Sequence, residues 1–109
     1  MADQRIWIDV DEHGNFTYRP SGLHIPRDST EPVIWECALG PFAVAFKDGT
    51  PFGQVEAQGT WDGTRWRTDP IQLDPQAKRG HYHYAVAVFA QNRGGLVHLD
   101  ASSPEIIVN

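Results

Sequence analysis

Cysteine is nearly missing from this chain of 109 residues: Cys37 stands alone, so no intramolecular disulfide can form. Long apolar runs are missing too. Nothing approaches the ~20 apolar residues of a membrane helix, and the opening Met-Ala-Asp-Gln-Arg lacks an apolar signal segment. A cytoplasmic protein without a membrane partner is expected, or a secreted one if a leader has been removed. Basic charge is sparse, with nine Lys and Arg against fourteen Asp and Glu and a formal net charge of -5. The longest basic run is Lys78-Arg79, too short to displace counterions from a phosphate backbone, so no nucleic-acid partner is expected.

Helical periodicity is also lacking. No window repeats apolar residues at i, i+3, i+4 and i+7 over three turns. Any helix should be one short turn, within 27–31 or 74–79. Signatures of catalysis are absent as well: there is no Gly-x-Ser-x-Gly elbow, no His-Glu-x-x-His and no phosphate-cradling glycine loop. Asp62, Asp69, Asp74 and Asp100 fall on turns, which suits solubility better than acid–base work. The chain does not read as an enzyme.

What is present is strand after strand. A 40% hydrophobic and 21% charged composition fits one globular domain over 1–109. The best-patterned stretch is Gly80–Phe89, where alternation puts Tyr82, Tyr84, Val86 and Val88 on one face. His81, His83, Ala85, Ala87 and Phe89 share the other. From residue 85 both faces are apolar, which predicts a central strand covered on both sides. Around it lie Arg5–Val10, a return over Phe16–Tyr18, Leu23–Ile25, Val33–Leu39, Phe42–Phe46, a weak strand over Gln54–Gly59, Leu96–Leu99 and Glu105–Val108. Thr60–Trp66 reads as a hairpin about a two-residue Asp62-Gly63 loop. These strands and turns predict an all-β fold, a Greek-key β-sandwich of about seven to nine strands.

Two sandwich families can be compared. An immunoglobulin domain, the runner-up topology, places two cysteines on different strands; here Trp35 and Cys37 share one strand and no second cysteine exists. The sequence instead resembles cupredoxins in Phe16-Thr17-Tyr18-Arg19-Pro20, Leu23-His24-Ile25 and Val33-Ile34-Trp35, followed by Pro41-Phe42-Ala43-Val44-Ala45-Phe46 and Gly80-His81-Tyr82-His83-Tyr84. The resemblance implies a cupredoxin-like frame. It also places the copper ligands of that family at Phe42, Val86 and Phe89, none of which can donate to a metal. No cofactor is expected, and the three side chains are expected to fill the space as packed core.

Candidate sites follow from the remaining residues. Trp61 and Trp66 bracket a turn, with Arg65 and Arg67 as polar arms, and Trp and Arg are the residues richest in interface energy. Together with Phe52, from the Pro51-Phe52 step, they form the expected surface for a protein partner. Trp61 and Trp66 could alternatively stack on a sugar. His81 and His83 are spaced to reach one metal, with His24, His98 or Asp100 as a third ligand. Cys37, in register with Val33, Trp35 and Leu39, reads as a buried hydrophobe. Homo-oligomerisation is left open.

Overall fold

The computed structural model describes residues 4–100 and 102–109. Ten strands follow one another: β1 (Gln4–Val10), β2 (Phe16–Arg19), β3 (Gly22–Ile25), β4 (Val33–Cys37), β5 (Phe42–Phe46), β6 (Glu56–Trp61), β7 (Trp66–Arg67), β8 (Gly80–Ala90), β9 (Leu96–Asp100) and β10 (Glu105–Val108). The only helical element among the described residues is a 3-10 turn over Gln91–Arg93. It lies outside both expected windows, because Gly94 and Gly95, at φ +72° and +79°, end it and turn the chain into β9.

The strands hydrogen-bond in the order β2-β1-β4-β7-β6-β5-β8-β10-β3, with β9 attached to β8 beside β10. β2 and β3 are neighbours in sequence yet lie at opposite ends of this path. The chain passes between them at Pro20, whose peptide bond is cis, and so the sheet nearly closes on itself. The all-β reading holds: the ten strands lie in one nearly closed, barrel-like sheet, an arrangement that fits a β-sandwich or a barrel. Most pairings are antiparallel, but β1 runs parallel to β4 and β3 parallel to β10.

The core follows from the alternation. Trp35 on β4 meets Phe46, Phe52 and Tyr84 edge-on, at ring separations of 6.3, 5.9 and 5.5 Å, tying β4 to β5 and β8. Each such large buried side chain contributes roughly 1.5–3 kcal/mol by leaving water. Two glycines permit close approach. A Cβ on Gly59 would stand 2.0 Å from the Phe42 ring, and one on Gly40 would stand 1.8 Å from the carbonyl oxygen of Phe89.

The expectation of a two-sided central strand needs correction. In β8 the face of Tyr84, Val86 and Val88 is buried, while Ala85 and Ala87 are half-buried and Phe89 is 43% exposed. The short alanines reflect an open face. It is β4 that is covered on both sides, with Ile34 and Glu36 buried as well as Val33, Trp35 and Cys37.

Candidate functional site

The β6–β7 hairpin turns one residue later than its sequence suggests. Trp61 pairs with Trp66 and Thr60 with Arg67, so Gly63 and Thr64, not Asp62 and Gly63, occupy the tip. The Asp62 side chain causes the shift. Its Oδ1 accepts from the backbone amides of Thr64 and Arg65, both at 2.9 Å, and from the Thr64 hydroxyl at 3.1 Å. A carboxylate that caps its own turn in this way replaces the expected backbone geometry. The Thr64 and Arg65 amides, with smaller contributions from the Thr64 hydroxyl and the Arg67 guanidinium, hold the Asp62 carboxyl down at about 2.

This turn brings the two tryptophans together. Their ring centroids are 5.2 Å apart at an interplanar angle of 57°, with Trp61 54% exposed and Trp66 half-buried beside it. Below them lies an open hollow of about 450 Å³ lined by Ala38, Leu39, Trp61, Trp66 and Gln91. The carbonyl of Leu39 accepts from the Gln91 amide at 3.1 Å, which fixes the far wall. The hollow therefore has rigid apolar walls with one side-chain amide.

The expected polar arms turn away from this hollow. Arg65 Nη1 donates to Glu36 Oε2 at 3.1 Å, and Arg5 donates to the other oxygen of the same carboxylate. Arg67 Nε lies 3.2 Å from Asp62 Oδ2. Glu36 was not singled out in the sequence, although one acid within Val33-Ile34-Trp35-Glu36-Cys37 is a signal that a buried charge has partners. Phe52 does not reach the surface at all. It is buried against Trp35 and Phe46 and bridges to Leu73, so it plugs the core and cannot touch a partner.

The histidine pair lies elsewhere. His81 and His83 are exposed at the start of β8, opposite Ile107 and Glu105 of β10. His81 Nδ1 is 2.8 Å from Glu105 Oε1, His83 Nε2 is 3.9 Å from Oε2, and His83 Nδ1 is 3.2 Å from the Ser103 carbonyl. None of the expected third ligands joins them. His24 lies beside Asn109, His98 stands opposite Val88, and the Asp100 carboxylate accepts from the Tyr18 hydroxyl and from Ser102. Among the described residues no group of three His, Cys, Asp or Glu is arranged to hold a metal ion.

Phe42 and Val86 are buried in the core, as expected of them, but Phe89 points outward. Cys37 is fully buried and burial pushes its thiol up, which leaves little thiolate to react. No protein-family model matches the chain, and no curated protein matches it.

Proposed function

We propose that the chain is a non-catalytic module, on a cupredoxin-like frame without type 1 copper, that binds a protein partner through the β6–β7 hairpin. One observation carries this reading: Trp61 stands more than half exposed against Trp66, over a hollow with apolar walls. An aromatic ring held in place by its neighbour loses little entropy on binding, and removing it from water is strongly favourable. The hydrocarbon side chains of Phe42 and Val86, at two positions where the resemblance puts copper ligands, support the copper-free part of the proposal.

The same surroundings favour an apolar side chain over a sugar as the occupant. Sugar recognition needs free donors and acceptors beside the ring, but Asp62, Arg65 and Arg67 are engaged with the chain itself. Gln91 is the one side-chain amide in the wall.

A photoreactive residue at Thr64, on the exposed tip, tests the proposal in cells of the source organism. The expected result is one dominant cross-linked protein, lost in Trp61→Ala while circular dichroism shows that the variant remains folded. Cross-links that persist in Trp61→Ala would overturn it. Binding to a glycan panel that Trp61→Ala abolishes would move the assignment to carbohydrate. An intense visible thiolate-to-copper band on adding Cu(II) would refute the copper-free frame.

A further inference from the structure

Most arginines of this chain are taken up by the fold: Arg5 and Arg65 by Glu36, Arg67 by Asp62, and Arg93 by the Val10 and Asp11 carbonyls. Arg27 and Arg79 are not. Among the described residues neither forms an ion pair or a hydrogen bond, although acids outnumber bases fourteen to nine. Both nevertheless line the same hollow, of about 680 Å³. Arg27 stands on the turn after β3, where the Ser29 amide donates to the Pro26 carbonyl at 2.9 Å and the Glu31 amide to the Ser29 hydroxyl at 3.2 Å. Arg79 stands just before β8, next to Lys78, whose carbonyl accepts from the Tyr82 hydroxyl at 2.6 Å. Gln72 crosses between the two segments and donates to the Thr30 carbonyl at 3.1 Å, while Val33 and Ile71 exchange backbone bonds of 2.8 and 3.0 Å. The two walls are therefore fixed to one another before anything binds, which lowers the cost of binding. Leu73, 7% exposed, and the rings of Pro26 and Pro75 give the hollow its apolar surface.

We infer that this hollow binds a small organic dianion, its two negative charges taken by Arg27 and Arg79 and its carbon frame laid on Leu73 and the two prolines. The fork of one guanidinium satisfies one carboxylate. Two guanidinium groups left without a partner match twice that charge, carried on one phosphate head or on two carboxylates. Asp28 is the one acidic side chain in the lining, so cationic side chains outnumber it two to one and a cation is the poorer fit. A bare inorganic anion would leave the apolar surface wet, which selects a ligand with carbon attached. The volume lies within the roughly 300–1,000 Å³ usual for small-molecule sites. No lining residue is shared with the Trp61–Trp66 hollow, so each site can fail without the other.

Nitrogen-15 NMR titration of the full chain tests it, with phenyl phosphate, phthalate, benzoate and inorganic phosphate each taken to ~10 mM at low salt. Phenyl phosphate or phthalate should saturate the amide shifts of residues 27–30 and 72–79, and the tighter of the two tells whether the charges sit on one head or on two. Benzoate, with one charge, and inorganic phosphate, with no carbon frame, should each bind at least tenfold more weakly. Arg27→Ala and Arg79→Ala should each weaken binding about tenfold or more, an effect of ~1.4 kcal/mol, and Asp28→Asn should tighten it. Arg19→Ala removes another exposed arginine without a partner, outside the hollow, and should change nothing. All four side chains are exposed, so the variants keep the fold, as circular dichroism will show. The inference is overturned if neither dianion saturates by ~10 mM, or if benzoate or inorganic phosphate binds as tightly. Wild-type binding in either Arg27→Ala or Arg79→Ala would also overturn it, as would weaker binding in Asp28→Asn or an equal loss in Arg19→Ala.

Discussion

Arg65, at the end of the β6–β7 turn, donates to Glu36 in the middle of β4 across 3.1 Å, so the exposed hairpin is fastened to the most deeply covered strand. Glu36 is 3% exposed while Arg65 and Arg5 remain nearly half in water. The two sides of this interaction should therefore respond unequally. Glu36→Gln releases arginines that can return to solvent, and should cost about 1–2 kcal/mol. Arg5→Ala with Arg65→Ala strands a carboxylate in the sheet, and should cost about 3–5 kcal/mol. Urea midpoints of the two variants check the order; equal losses would show that the carboxylate is solvated.

Two glycines should differ in the same measurement. Gly40→Ala drives a methyl group into the Phe89 backbone carbonyl, which cannot move without breaking the β8–β9 ladder. Gly59→Ala meets the Phe42 ring, a side chain that can be shortened. Each substitution should destabilise by roughly 1–3 kcal/mol or more. Phe42→Leu should recover part of the loss at Gly59 and none of the loss at Gly40.

Acid should loosen the hairpin through Asp62. Its carboxyl is held down at about 2 in the fold, against 3.8 for a free aspartate side chain, chiefly by the Thr64 and Arg65 amides. The unfolded chain therefore takes up the proton first as pH falls. The stabilisation is fully present above pH 3.8 and is lost on the way down to about 2. The difference in melting temperature between wild type and Asp62→Asn should shrink across that window and stay constant above it.

Alkali should act through two tyrosines. Burial, followed by the hydrogen bond to Asp100, raises Tyr18; burial raises Tyr84. Both therefore favour the folded state fully below the free-phenol value of 10, and their contribution falls as pH rises past it. The tyrosinate absorbance of these two should appear together with unfolding. Tyr18→Phe also removes a donor from the Asp100 carboxylate, where burial opposes ionisation but the Tyr18 and Ser102 hydrogen bonds outweigh it. It should raise the pKa of that carboxyl, measurable by carbon-13 NMR.

Much of the fold was legible because strands announce themselves by period two. Val44 and Phe42, or Tyr84, Val86 and Val88, need only alternation to be placed inside. What alternation does not reveal is coverage. Ala85 and Ala87 read as core beside Phe89, and only the neighbouring strands show them to be the floor of an open face. The one-residue slip at the hairpin tip came from Asp62 bonding forward, a competition that the Asp-Gly signature does not resolve. Trp61 and Trp66 were identifiable as a pair; that Arg65 turns from them to Glu36 depends on a strand far away in sequence.

The parallel ladder between β3 and β10 joins Gly22 to Glu105 and Ile25 to Val108. During synthesis, β3 must wait with no partner strand at all until β10, its one neighbour in the sheet, has left the ribosome. Such remote pairing makes for slow folding, and a growing chain with that strand bare is open to capture by other nascent strands. Dependence on a chaperone should therefore be greatest just before residues 105–108 emerge.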